Sequence, residues 1–237
     1  MSLLTLIQQS CRAPGVNLPV PNAVATSTND TVLQLLEIAN EEGVELAKRG
    51  QWQALLRTAN FTTVATPVQT QLDTVAPNFD YMVNNSFWDT TMRRPLFGPM
   101  SIQEYQQQVA MFAIGPWYQY IIFDGDIVFV PTPSAGDACT FAYITKAWCT
   151  DSTGATPKES FTADDDVSLL DEQIMKLGII WRWKQGKGLD YAEDYAKYER
   201  MVAEALGRDA SKPVLNMGGV LYDIQPFVVV PSGSWNA

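Results

Sequence analysis

The chain has 237 residues, is 46% hydrophobic, and carries seven Trp and nine Tyr at a charged fraction of 18%; this excludes disorder and supplies apolar side chains for one large domain or two adjoining ones. Its 16 basic against 26 acidic residues give a formal net charge of -10, which excludes a broad phosphate-gripping surface built on clustered Lys and Arg. An acidic wall does suit a conduit along which DNA slides without sticking.

Histidine is absent, which removes Ser-His-Asp and Cys-His catalysis and most zinc catalysis. Cys11, Cys139 and Cys149 are odd in number and form no CxxC. They read as buried thiols of a reducing compartment, although Cys139 and Cys149 could pair. The opening "MSLLTLIQQSCRAPG" lacks the basic region and apolar length of a secretion signal. No stretch reaches the roughly 18 apolar residues of a membrane span. The expectation is a protein made and folded in a cytoplasm.

In chain order, "RAPGVNLPVPNAVATSTN" (12–29) reads as an extended lead-in loop. Asn29 or Asp30 then caps a helix in which Val32, Leu36, Ala39, Gly43 and Leu46 form one stripe, closed by Lys48-Arg49-Gly50. Alternation around Phe61, Thr63 and Ala65 predicts a short strand stopped by Pro67. After Pro77 a short helix is expected to hold Phe79, Tyr81, Met82 and Val83. Ser101 with Glu104 is a capping box that opens a helix through "IQEYQQQVAMFA". "WYQYIIF" and "DIVFV" flank Asp124-Gly125, the composition of a tight hairpin turn. With "ACTFAYITKAW" as a third strand, residues 117–148 are expected to form an antiparallel meander.

A polar loop leads to Ser168 and Asp171, read as a second capping box. It opens a helix with Leu170, Ile174, Leu177 and Trp181 at helical spacing. "GKG" (186–188) breaks this helix, and Asp190 with Glu193 starts another bearing Tyr191, Tyr195, Tyr198, Val202 and Leu206. A linker so short makes the two helices antiparallel. Beyond Pro213, "VLYDI" and "FVVV" are strand-like and ask for a partner.

Candidate chemistry is thin. Asp164-Asp165-Asp166 lacks the alternate spacing of a calcium loop and reads as a solvated acidic turn at a helix start. Asp124 and Asp126 are ordinary turn carboxylates. The GKG lacks the flanking residues of a phosphate loop. Trp181 and Trp183 lie about 200° apart on a helix, so one of them must meet another element or another chain. Arg93-Arg94 beside Trp88 and Asp89 reads either as an internal clamp or as one side of an intersubunit ion pair.

The corner "FWDTTMRRPLFGPMSIQEYQ", the hairpin "GDIVFVPTPSAGD" and the ending "LLDEQIMKLGIIWRWKQGKGLDYAEDYAKYERMVAEAL" resemble, in order from about Val32 to Leu206, the head-to-tail adaptor (connector) proteins of short-tailed bacteriophages and their relatives. The β-rich tail after Pro213 is longer than that resemblance leads one to expect.

The resemblance implies a structural virion protein at the head-tail junction, assembled in the bacterial cytoplasm, without enzymatic activity, cofactor or membrane contact. It implies a ring, typically of twelve copies, beneath the portal protein. Such a ring extends the channel through which viral DNA passes without sequence-specific binding, and docks a nozzle or tail-tube protein below.

The expected fold is α+β: a helical body with an inserted antiparallel β-meander and an extended C-terminal arm. Residues 1–60 supply the first helix, 61–165 the β-rich insertion, 166–208 the helical hairpin, and 209–237 the arm. Trp88, Asp89, Arg93, Arg94 and Pro95 are expected to hold a rigid corner between helical body and β-module, or a subunit interface. Trp181, Trp183, Tyr191 and Tyr195 are expected in the hairpin. Val220, Leu221, Tyr222, Ile224, Phe227, Val228, Val229 and Trp235 are expected to bind the portal or a neighbour by strand addition. The alternatives are a tail-associated glycan-binding or glycan-cleaving protein, or a plain cytoplasmic binding module.

Overall fold

In the computed structural model, which describes residues 1–111 and 117–209, the chain is α+β, with six helices and antiparallel sheets. The arm residues Val220 to Trp235 named above lie outside the described residues. The chain opens with a helix not anticipated from the sequence, α1 (Leu3–Cys11), in which the Ser2 hydroxyl accepts the Thr5 N–H. Leu3, Leu6, Ile7 and Cys11 recur on one face and are buried. The lead-in loop ends where the Asn29 side chain accepts the Thr31 N–H at 2.9 Å and starts α2 (Asp30–Lys48). The buried face of α2 runs through Val32, Leu35, Ala39, Gly43 and Leu46, with Leu36 at its margin.

Strand β1 (Leu56–Thr62) begins earlier than its alternation suggests, and β2 (Val68–Gln71) follows Pro67. The expected helix after Pro77 is a correction. The helical turn, α3 (Leu72–Val75), precedes the proline, as the steric limit on the residue before Pro requires. Residues Phe79–Met82 instead form β3, paired with β8 (Ala138–Thr145). An open strand edge within reach outweighs weak local helix propensity over four residues.

Strands β4 (Trp88–Asp89) and β5 (Arg94–Pro95) pair with each other and lead to α4 (Ile102–Ala110). Both reciprocal bonds of the Ser101–Glu104 capping box are present. Strands β6 (Gln119–Phe123) and β7 (Asp126–Val130) form the predicted hairpin. Asp124 and Gly125 both have positive φ, 54° and 81°, as a right-twisted two-residue turn demands.

The third strand of the expected meander does not join this hairpin. β7 takes β2 as its other neighbour, while β8 pairs with β1 along one edge and with β3 and β4 along the other. The two sheets enclose Phe87, Tyr120, Ile127, Phe129 and Phe141. The opposite face of β6–β7 buries Ile121, Val128 and Val130 with Met100, and Tyr105 of α4 packs against them. A strand buried on both faces reads as the unbroken apolar run "IVFV" and carries no information about which strand comes next to it.

Strands β9 (Cys149–Thr150), β10 (Pro157–Lys158) and β11 (Val167–Ser168) make a small third sheet. Asp171, not Ser168, caps α5 (Glu172–Gly186), accepting the Gln173 and Ile174 N–H groups at 2.8 and 3.1 Å. Ser168 instead bonds Leu170. Gly188, at φ 68°, separates α5 from α6 (Ala192–Asp209). A second core joins α1, α2, α5 and α6 around Trp148, Met175, Ile179 and Tyr198.

Candidate assembly site

The corner is built from both sheets. In the β4–β5 hairpin the Asp89 carboxylate accepts the Met92 N–H at 2.8 Å, and Arg93 takes the left-handed turn position, φ 54°. Arg93 is exposed. Arg94 turns inward: its Nε lies 3.7 Å from Asp89 Oδ2 and its guanidinium 4.8 Å from the centre of the Tyr118 ring. Asp89 is 1% exposed, and its Oδ2 and Arg94 Nε face each other at 3.7 Å without a hydrogen bond. Of the two readings of the arginine pair, Arg94 fits the internal clamp.

Thr90 donates its hydroxyl to Ala138 O, and Thr91 Oγ1 accepts the Ala138 N–H, both at 2.8 Å. On the other side, Phe97 and Met100 bond the backbone of β6. Gly98 allows this approach, because a Cβ there would stand 2.5 Å from Tyr120 O. Between the two attachments Phe87 meets the rings of Tyr120, Phe141 and Phe129 at 4.7, 5.3 and 5.6 Å. Among the described residues, these hydrogen bonds and ring contacts join the two sheets to each other.

In the helical hairpin Trp181 packs on α6, 5.1 Å from Tyr195, 5.9 Å from Tyr198 and 6.5 Å from Tyr191. Trp183 points elsewhere, beneath the Lys187 ammonium at 4.5 Å and beside Leu33, Glu37 and Ile38 of α2. Both indoles are buried. The second tryptophan therefore meets another element of its own chain.

The sequence reading missed a charged network at the centre of this body. Glu42, fully buried on α2, accepts the Tyr198 hydroxyl at 2.6 Å and Arg182 Nε at 2.7 Å. Arg182 also pairs with Glu45, which bonds Arg49 at 2.9 Å, and Arg49 reaches Glu199 at 2.6 Å. Three helices are thereby tied by charge-assisted bonds.

Burial pushes the Glu42 carboxyl above its ordinary value, and the bonds from Tyr198 and Arg182 recover only part of that. Burial works against a charged Arg182, but its carboxylate partners more than offset it and hold the guanidinium charged. Gly178 makes room for the network: a Cβ there would lie 2.2 Å from the Glu42 carboxyl carbon. The available signal was an acid at position 42, beside Gly43 on the apolar stripe of α2.

The acidic run is structural and, in part, deeply buried. Asp164 accepts the Val24 and Ala25 N–H groups at 2.8 and 2.7 Å, fixing the lead-in loop. Asp166, 0% exposed, holds Lys158 at 2.6 Å and the Thr162 and Ala163 N–H groups at 2.7 and 2.9 Å. The solvated turn expected from sequence is thus corrected for Asp166: its acid sits inside because three donors surround it. Among the described residues no group of three or more acids or cysteines is placed to hold a metal. Cys11, Cys139 and Cys149 are free and buried.

Helix α4 buries none of its residues. Ile102 and Met111 are 62% and 71% exposed, and Trp117 nearby in sequence is 57% exposed against Phe97. These are exposed apolar side chains on the β-rich part of the chain.

In comparison with known families, the family model described as SU10 adaptor protein matches residues 1–218. No curated protein matches the chain.

Proposed function

The chain belongs to the SU10 adaptor protein family, and from that membership we propose that it is a structural bacteriophage protein of the head-tail junction. In this reading copies assemble as a ring, twelve-fold where the portal is, beneath the portal protein of a short-tailed or related phage. The ring lengthens the DNA channel and presents a surface to the next tail component. The observation that carries the reading is the family match over 218 of 237 residues.

Three features support it. The net charge of -10 keeps a passing polyanion from adhering to the bore. The exposed Ile102 and Val109 of α4, 62% and 47% exposed among the described residues, offer apolar contacts to a protein partner. The corner at residues 86–100, with buried Asp89 clamped by Arg94, suits a part that transmits load without changing shape. The segment Val214 to Trp235 serves as an arm adding to the portal or a neighbour by strand addition; its residues from 219 onward lie beyond the family match.

An early stop codon in the phage gene is expected to give DNA-filled heads without tails, and complete tailed particles would overturn the adaptor role. A stop at codon 214 is expected to give a folded, soluble protein absent from the particle. Normal incorporation of that truncated chain would overturn the arm.

A further inference from the structure

The helical body carries opposite charge on opposite flanks. Between α1, α5 and α6 opens a cleft of about 870 Å³, whose wall includes Arg12, Lys176, Lys184, Lys197 and Arg200. Lys184 is bound by Asp194 at 2.5 Å. Among the described residues the other four cations have no ion-pair partner. Against Asp190, Glu193 and Asp194 in the same wall, the five cations leave a net excess of two positive charges in a chain of net charge -10.

The opposite flank is the outer face of α2. There Glu37, Glu41, Glu45 and the loop residue Glu159, with Lys48 as the one cation, line a groove of about 550 Å³ around Val44, itself 40% exposed. Glu37 and Glu159 have no ion-pair partner among the described residues, and Glu41, 68% exposed, makes one long contact of 3.7 Å to Arg182.

Helix α5 separates the two flanks. Lys176, Ile180 and Lys184 face the cleft, whereas Gly178 and Arg182 meet Glu42 of α2. At 3.6 residues per turn these two sets stand roughly 180° apart around α5. The acidic groove, α2, α5 and the basic cleft therefore follow one another as successive layers.

Three occupants of the cleft can be weighed by charge. Nucleic acid is disfavoured, because a net excess of two positive charges in the cleft is small for gripping a dense row of phosphates on a chain of net charge -10. Residues 210–237 of the chain itself contain Asp223 as their one acidic residue, balanced by Lys212, so their side chains bring no net negative charge to the cleft. A second copy brings an acidic groove of matching sign with an apolar centre.

We propose that copies of this chain join head to tail, with Arg12, Lys176, Lys197 and Arg200 of one copy set against Glu37, Glu41 and Glu159 of the next. The two surfaces differ, so the contact is heterologous and generates a ring where its rotation closes. The proposal deepens the ring reading above and rests on it.

Charge reversal tests it. Two paired variants, Lys197→Glu with Arg200→Glu and Glu37→Lys with Glu41→Lys, alter exposed positions of α6 and α2. Their melting is checked against the native chain. Self-association is measured by sedimentation at low salt, and addition to the purified portal ring by mass photometry. Each reversed pair is expected to weaken association at least about tenfold through like-charge contact.

The chain carrying all four substitutions is expected to recover to within about threefold, because reversed cleft and reversed groove again attract. Native-like association of either reversed pair, or no recovery in the folded quadruple variant, would overturn the proposal. So would a native chain that associates under no condition. A native chain that self-associates but never adds to the portal overturns the adaptor reading and leaves the interface standing. Portal addition untouched by any reversal does the opposite.

Discussion

Gly43 shows how one atom can set the packing of a helix. It sits inside α2, where a glycine costs about 1 kcal/mol relative to alanine, yet an added Cβ would stand 2.3 Å from the Trp148 indole. Trp148 is fully buried and meets Phe161 edge-on at 4.7 Å, so the ring has nowhere to go. Gly43→Ala is therefore expected to lower the unfolding free energy by about 2 kcal/mol through overpacking, read by urea denaturation; a stabilised variant would contradict the close packing. The sequence placed Gly43 on the apolar stripe but named no partner, because the tryptophan it meets is 105 positions away. The cysteines were more legible. Their number and spacing already excluded a framework, and burial pushes the Cys139 and Cys149 thiols up to about 12.

At the scale of elements, the charged network and the acid clasp decide how the pieces hold together. Removing Glu42 leaves Arg182 facing only Glu41 and Glu45 and strands the buried Tyr198 hydroxyl. Glu42→Ala is expected to cost about 3–5 kcal/mol, the usual loss when one partner of a buried pair is deleted; a loss below about 1 kcal/mol would show that the network carries little. Asp166 makes a pH-dependent prediction. Burial acts to raise its carboxyl, but Lys158 and the Thr162 and Ala163 amides outweigh it and hold the carboxyl below its ordinary value.

A depressed carboxyl contributes stability in full above its unfolded value, near about 4, and loses it as pH falls from there through the folded value. Glu42, whose carboxyl is raised, shifts stability in the other sense, so the comparison is made against Asp166→Asn. That variant is expected to be about 2 kcal/mol less stable at pH 6, with the gap closing as pH falls below about 4. A constant gap would contradict the clasp.

Helix caps and periodicity made α2, α4, α5 and α6 legible, and Asp124-Gly125 gave the β6–β7 hairpin. Strand partners were not legible. The run "IVFV" is equally compatible with β2 or β8 as neighbour, and Phe79–Met82 became a strand only because β8 offers it an edge. What the corner residues join was not legible in the sequence and could be seen only once Phe97 and Met100 were found bonded to the backbone around β6.

At the scale of the whole molecule, a charge-tied helical body and an aromatic two-sheet module sit on one chain that belongs to an adaptor family. The proposed role needs little chemistry from it. Fixed shape, two differing flanks and a helix α4 that exposes Ile102 and Val109 suit a ring subunit between two larger assemblies. The most direct test of that role is mass photometry of the purified chain mixed with its portal ring. The adaptor role predicts a closed gain in mass near one copy per portal subunit. A portal that gains nothing while the chain stays monomeric would contradict it.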